Sequence, residues 1–474
     1  MAANPSTPDA PGPSTLRGVI YLVMLAAAVG LFFLIRSAGE GLAAPAATVA
    51  MKQAAAPAAP GTLMHVLLAL AVVIVAARVM GALFKRLNQP AVIGEVIAGI
   101  MLGPSLLGRL SPEASAFLLP ASVAPALSII AQVGVILFMF LVGLHLDTGL
   151  LKQRTHTTVA ISHASIVVPF TLGAALALWL YPKLSSANVP FTVFALFMGV
   201  AMSVTAFPVL ARILTDRRLH TSRMGAIALA CAAVDDVTAW CLLALVVGVV
   251  ESNARGALIT VGLTFVYIAV MLTVVRRAAE WAARRYEHPS RVSQSTLAVV
   301  CVALLGSALA TELIGIHALF GAFLLGAIIP HDSALARAAL DKLEDTVVVL
   351  FLPAFFAFTG LRTEIGLVSG WDNWLMCGVI ILVASVGKIG GTLGAARLTG
   401  LSWRDGAALG VLMNTRGLMQ LIVLNVGLDL GVLTPPLFAM MVLMAVVTTL
   451  ATAPALTALT VRGEELPLSA VQKA

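Results

Sequence analysis

Charge is scarce in this chain. Only 11% of its 474 residues are Asp, Glu, Lys or Arg, 60% are hydrophobic, and mean hydropathy is +1.02. Composition of this kind excludes a soluble enzyme and indicates a multi-pass helical membrane protein whose main surroundings are the lipid bilayer. Cysteine is also sparse. Cys231, Cys241, Cys301 and Cys377 all fall inside apolar runs and none sits in a Cys-x-x-Cys pair, so neither a disulfide framework nor a zinc site is indicated. The net charge of +7 has no cluster of basic residues interleaved with aromatics. The basic residues lie in short loops between apolar runs, which argues against a nucleic-acid partner. No cofactor is implied.

Set against that scarcity, Asp235 and Asp236 stand side by side within the apolar run from Met224 to Val250. The run is long enough to cross a bilayer, which takes about 20 apolar residues. A charge at the centre of such a helix costs roughly 2.5–3.5 kcal/mol on an insertion scale and is functional by default. Neighbouring residues on a helix point about 100° apart, so the two acids are expected to have different tasks.

Residues 1–61 read as a disordered N-terminus with an apolar segment, 18–35, followed by an Ala/Pro-rich linker. That segment is either a signal peptide's apolar region or an extra membrane helix, and its length favours the helix. The span 62–461 reads as thirteen helices, near 62–84, 90–107, 122–144, 157–181, 190–214, 222–250, 256–275, 294–314, 316–330, 346–361, 374–396, 404–428 and 434–461, with a short cytoplasmic tail at 462–474. With alternating loops, seventeen Lys and Arg residues, from Lys85 and Arg86 through Arg397 and Arg404, fall on one side. The other side holds Arg109, Lys183, Arg255 and Arg362. This bias places the first side, and the C-terminus, in the cytoplasm. The expected location is the cell membrane.

The chain also echoes itself. Gly94-Glu95-Val96-Ile97-Ala98-Gly99 resembles Gly321-Ala322-Phe323-Leu324-Leu325-Gly326. Leu137–Leu144 resembles Pro353–Leu361, and Ser203–Pro208 takes the place of Met413–Gly417. The assigned topology makes these repeats inverted, an arrangement that puts a transport site near the midplane between broken helices. The breaks are expected at Thr205–Pro208, where proline removes a backbone donor, and at Asn414-Thr415-Arg416-Gly417. The fold class is therefore all-α, with inverted repeats and two discontinuous helices.

Few ionisable groups lie inside the spans: Arg78, Glu95, Asp235, Asp236, Glu312, Lys388 and Arg416, with His65, His163 and His317. A buried lysine demands a partner, and one of the paired aspartates is the candidate for Lys388. That leaves the other aspartate to take a cation or a proton. Arg416 can offset the carbonyl end of a half-helix, and Glu95 is a further candidate for charge compensation, paired with Arg78 or another cation. Thr205, Asn414 and Thr415 are expected to supply neutral oxygen ligands. His163 and His317 read as core histidines, and Glu312 as solvated near the interface.

Five blocks carry a family resemblance: Ile93–Pro104, Ala206–Leu214, Ala233–Trp240, Gly315–Phe323 and Met413–Met419. Over 62–461 the chain resembles the monovalent cation:proton antiporter family 2, the sodium/proton and Kef-type potassium/proton exchangers with their plant CHX relatives. The resemblance implies a homodimer with a dimerisation domain, a six-helix core in which the two discontinuous helices cross, and elevator-like alternating access. It implies that Asp236 binds Na⁺ or K⁺ in competition with a proton, and that Asp235 pairs with Lys388. Members with both acids and the lysine are generally electrogenic, whereas the Asp-Asp-Val-Thr-Ala-Trp and Met413–Met419 blocks look closest to the CHX-like branch and pull toward potassium. Family members carry Glu where this chain has His145 in Gly143-Leu144-His145-Leu146-Asp147. The residues after Arg462 contain no Gly-x-Gly-x-x-Gly, which argues against Kef-style ligand gating.

Other readings are weaker. An intramembrane aspartyl protease takes its two aspartates from two facing helices, and a channel needs a continuous pore rather than paired breaks. A sodium-coupled organic-anion symporter of similar architecture and a non-transporting sensor remain the alternatives.

Overall fold

A computed structural model describes residues 14–45, 62–145, 156–217, 219, 222–251, 254–285 and 292–460. The expected disordered start at 1–13, most of the linker, the tail at 462–474, and Leu146 and Asp147 lie outside the described residues. Among the described residues all regular structure is helical, as a bilayer requires when each backbone group must be satisfied within its own segment.

The helices are α1 (Ser14–Gly39), α2 (Thr62–Arg86), α3 (Ala91–Leu102), α4 (Ala124–His145), α5 (His156–Leu184), α6 (Phe191–Ser203), α7 (Phe207–Asp216), α8 (Arg223–Glu251), α9 (Ala254–Val270), α10 (Arg276–Arg285), α11 (Gln294–Ile314), α12 (Ala318–Ile328), α13 (Ala334–Thr346), α14 (Leu352–Leu361), α15 (Trp371–Leu398), α16 (Trp403–Met413), α17 (Leu418–Asp429) and α18 (Pro435–Thr460). Single π turns join α9 to α10 and α13 to α14. Among the described residues, eleven helices, or twelve with the bent α16–α17 pair, are long and apolar enough to cross a membrane. Every expected span meets a helix. The span expected at 316–330 is the 11-residue α12, and the one expected to begin at 346 starts at Ala334. The polar residues of α13 hide that 13-residue helix from a hydropathy reading. The apolar segment 18–35 lies within α1, which packs on α5 and α6.

The repeats are visible in the packing. A Cβ on Gly94 would stand 2.5 Å from the Met80 carbonyl oxygen, and one on Gly321 closer still to that of Ser307, each fourteen positions earlier in the chain. Glycine here lets each helix press on the backbone of its predecessor. The repeats also interlock. Gly99 of α3 meets Gly360 of α14, while Gly326 of α12 meets Gly143 of α4, again with no room for a side chain. The first glycine helix of each repeat thus packs on the later helix of the other.

These contacts divide the molecule into two bodies. Helices α2–α4 and α11–α14 form one, tied by the glycine contacts. The other is built around α5 and α15, which lie along each other and carry α6–α8 and α16–α18. Each repeat contributes to both. Three cavities follow the seam between the bodies. One, of about 630 Å³, lies between α4, α11 and α12 on one side and α17 on the other. A second, of about 450 Å³, lies between α4 with α13 and α7. A third, of about 540 Å³, lies between the α2–α3 turn and α7 with α18.

Candidate functional site

The site forms where two broken helices cross inside the second body. α6 stops at Ser203, Val204–Ala206 runs extended, and α7 begins at Phe207 with Pro208 in its first turn. Proline there ends the preceding backbone pattern and suits a new helix start, because the donor it lacks has no intrahelical partner in the first turn. α16 stops at Met413, and α17 leaves the break at 47°. The two breaks bind each other. The Ala206 N–H donates to the Thr415 carbonyl at 3.0 Å, and the Thr205 hydroxyl donates to that of Met413 at 3.3 Å. Gly417 sits where a Cβ would come within 2.5 Å of Val209, so the crossing requires its bare backbone.

A helix that stops inside a protein leaves its last carbonyls without intrahelical donors. Two buried cations answer those of α6. Arg416 donates from Nη1 to Ala201 O at 3.0 Å and Val204 O at 3.3 Å, and from Nη2 to Met202 O at 2.7 Å. Its Nη1 also reaches Gln420 Oε1 at 3.0 Å. Lys388, on α15, donates to Ser203 O at 2.5 Å and Ser165 O at 2.8 Å. Positive charge at the negative end of α6 also suits the helix dipole.

Asp235 and Asp236 sit on α8, adjacent in sequence and opposite in circumstance. Asp235 accepts from Ser162 (2.8 Å), Ser165 (2.7 Å), Thr205 (2.9 Å) and Lys388 (3.0 Å). Its carboxylate is saturated. Asp236 is 2% exposed, and neither carboxylate oxygen has a hydrogen-bond partner. The Phe207 N–H, at the start of α7, acts on it electrostatically. Asn414 Oδ1 and Thr415 Oγ1, at the other break, are likewise buried without partners. One acid is committed to structure and the other is open.

The other expected site residues divide. Thr205 is at the crossing, but its hydroxyl proton goes to Asp235 and Met413. Asn414 spends its amide N–H on Ser385 at 3.4 Å and keeps its oxygen unpaired. Glu95 stands apart. It is half-buried on α3, with its Cγ 3.6 Å from where a Gly81 Cβ would be, and makes no ion pair within 4 Å among the described residues. His317 lines the cavity between α4, α11, α12 and α17 with a buried, unpaired Nδ1, and Glu312 caps α12 through the Ala318 N–H at 2.9 Å. Ser162, Ser165 and Gln420 were absent from the sequence reading. The three-residue spacing of Ser162 and Ser165, which puts them on one face of an apolar helix, was their signal.

The model of the family described as "Sodium/hydrogen exchanger, transmembrane" matches residues 73–461. The chain belongs to this family. Among similar exchangers is the Na⁺/H⁺ antiporter NhaS4 of Synechocystis, 44% identical over 395 residues covering 83% of this chain and 96% of that one. Cation/H⁺ antiporter 18 of Arabidopsis thaliana is 39% identical over 82% of this chain and 48% of its own length. K⁺/H⁺ antiporter 1 of Saccharomyces cerevisiae is 36% identical over 78% and 43%. The chain spans about half the length of these two. The exchanger fold is shared with the sodium proton antiporter MjNhaP1 of Methanocaldococcus jannaschii, at a TM-score of 0.55 and 18% identity, over 85% of this chain and all of that one.

Chemically, the crossing holds one neutralised pair, Asp235 with Lys388, beside a lone carboxyl that can be neutralised by a proton or by a cation. A bare carboxylate without hydrogen bonds in a dry interior is strongly disfavoured, so one or the other is required.

Proposed function

We propose that the chain exchanges a monovalent cation, Na⁺ or K⁺, for protons across the cell membrane, and that Asp236 binds either one in turn. The observation that carries this is the contrast on α8 between a saturated Asp235 and a buried Asp236 with both oxygens unpartnered. The names of similar relatives support the same activity. Asn414 and Thr415 present unpaired oxygens, the neutral donors a hard monovalent cation takes, and Thr205 and freed backbone carbonyls complete the candidate set. Arg416 and Lys388 fix the broken ends, and Asp235 holds Lys388.

Transport then proceeds by a sliding of the second body, which carries the crossing, against the first. The seam cavities support this. Phe207 and Pro208, beside Asp236, line the cavity toward α13, whereas Ile422 and Asn425 of α17 line the one near α12. Because Asp236 crosses either protonated or cation-bound, leak is avoided. One proton traded for one cation at Asp236 moves no net charge, so electrogenic exchange takes a second proton per cycle, carried by the Asp235–Lys388 pair on the proton-loaded crossing and released when the cation binds. The basic loops orient the C-terminus to the cytoplasm, and the working form is a homodimer. Glu95 has no part in the crossing on this reading.

Reconstitution in liposomes with an imposed proton gradient tests the proposal. Addition of Na⁺, Li⁺, K⁺ or Rb⁺ is expected to collapse the gradient, faster when valinomycin and K⁺ clamp the potential. Failure of every cation, equal to Asp236→Asn, would refute antiport and favour uptake of an organic anion or a sensor role. A response indifferent to the clamp would retain antiport and refute electrogenicity.

A further inference from the structure

The seam cavity between the α2–α3 turn and α7 with α18 belongs to no step of the exchange reaction. Its chemistry differs from the other two. Lys85 enters from the last turn of α2, Arg212 from α7, and Arg217 from the residue that follows α7. Asn88, Gln89 and Thr457 add polar groups, and no carboxylate is among the lining residues described. By the basic-residue bias this end faces the cytoplasm.

We infer that this cavity binds a phosphate group, supplied either by an anionic lipid headgroup or by a soluble phosphate. Four observations carry the inference. The first is charge: three cationic side chains from separate positions converge on one cavity of about 540 Å³. The second is that Arg217 is already oriented. Its Nη1 donates to Thr457 Oγ1 at 2.6 Å and its Nη2 to the Ala453 carbonyl at 3.0 Å. These use two of the five donors of a guanidinium and fix its plane. A planar guanidinium held in place is well suited to phosphate oxygens.

The third is Gln89. Its side-chain oxygen is buried with no hydrogen-bond partner. The two ends of an amide are assigned rather than seen, so the turned amide presents N–H donors at the same point. An unpaired amide beside three cations is accounted for by an anionic ligand. The fourth is that the turn bearing it is rigid. Asn88 takes the left-handed conformation at φ 55°, its N–H donates to Lys85 O at 3.1 Å, and the Gln89 N–H donates to Phe84 O at 2.9 Å.

The cavity is wider than a phosphate needs, which leaves room for the group that carries it. Lys85 and Gln89 belong to the first body, Arg212 and Arg217 to the second. A phosphate held by both would tie the bodies together in the arrangement described here, so the ligand would regulate any movement between them. Binding itself does not depend on the antiport reading.

The test uses the full chain and reads binding rather than transport. Thermal unfolding is followed in detergent with inorganic phosphate against chloride at matched ionic strength. It is followed again in phosphatidylcholine vesicles with and without phosphatidylglycerol. The expected result is a saturable rise of the midpoint by several degrees that Lys85→Gln and Gln89→Glu each remove. Arg86→Gln, which deletes an equal charge from the neighbouring residue outside the cavity, is expected to leave the rise intact. A rise with inorganic phosphate assigns a soluble source, and a rise confined to phosphatidylglycerol assigns a lipid headgroup. No rise with either, or a rise that Arg86→Gln reduces as much as Lys85→Gln does, would overturn the inference and leave only general surface attraction. Gln89→Glu keeps the test open if Lys85→Gln fails to fold.

Discussion

Lys388 and Asp235 form a 3.0 Å ion pair in which neither side chain exposes any surface. The pair joins four helices, because Lys388 of α15, paired with Asp235 of α8, also holds the Ser165 carbonyl of α5 and the Ser203 carbonyl at the end of α6. It sits one residue away from a carboxyl group whose two oxygens have no hydrogen-bond partner. The chemistry of the crossing rests on that asymmetry. A lone acid can change its occupant only if its neighbour does not compete for the same cation.

Asp236→Asn therefore is expected to abolish exchange while leaving the fold intact. The amide matches the carboxyl in size but can neither titrate nor neutralise a cation. Because Asp236 contributes no hydrogen bond to the protein, the thermal midpoint should stay close to that of the parent or rise. Proteoliposome flux measured beside a melting curve checks both. Flux near the parental level would reject Asp236 as the site.

Asp235→Asn is expected to act on stability first. Removal of one partner from a buried pair costs about 3–5 kcal/mol, because the other charge is left uncompensated. Lys388 would retain the Ser165 and Ser203 carbonyls, which places the loss toward the lower end. Replacing both residues, as Asp235→Asn with Lys388→Met, should restore much of the stability. A double-mutant cycle on thermal midpoints reads the coupling. In transport, the single variant should retain exchange with altered dependence on membrane potential. An Asp235→Asn variant as stable as the parent would show that the pair carries no net energy.

How much of this was legible in the residues alone follows from what each signal measures. Asp235, Asp236 and Lys388 announce themselves because charge in an apolar helix is costly wherever the helix goes. The glycines of both repeats, Gly94 with Gly321 and Gly99 with Gly326, were readable as a repeated spacing, although not as an interlocked contact. The breaks at Pro208 and Gly417 were readable because local backbone chemistry dictates them. Convergence was not readable. Nothing local says that Ser162, Ser165 and Thr205 all turn to Asp235, or that Arg416 reaches across to α6 rather than serving its own helix. Glu95 shows the converse. Its place in an apolar run promised a cation, and the helix turns it toward Gly81 and the α2 face, where Arg78 and Lys85 act on it through charge rather than through a contact within 4 Å. The seam cavities lie between distant segments and have no sequence signature.

Competition at one carboxyl fixes the sign of the pH dependence. A cation requires the deprotonated acid, so binding releases a proton. Apparent cation affinity should therefore fall as pH falls, by up to about tenfold per pH unit where the proton is the dominant occupant. At higher pH the dependence should flatten. Half-saturating Na⁺ or K⁺ concentrations, measured in proteoliposomes over a pH series, give the slope. A half-saturation that does not move with pH would mean that the cation and proton use separate groups.

Arg416→Lys separates the role of charge from that of shape. If Arg416 served only as a positive charge at the end of α6, lysine would replace it. The structure instead shows one guanidinium meeting three carbonyls, of Ala201, Met202 and Val204, together with the Gln420 side chain. An ammonium is a point donor on a flexible stem and cannot span that set. With two of the acceptors left buried and unpaired at about 1–3 kcal/mol each, the variant should lose roughly 2–6 kcal/mol. The loss should appear as a lowered thermal midpoint together with slowed exchange, since the end of α6 leads into Thr205 and the site. Restored stability in Arg416→Lys would show that charge alone holds the break. A stable variant with slow exchange would place the role of Arg416 in the shape of the crossing rather than in its energy.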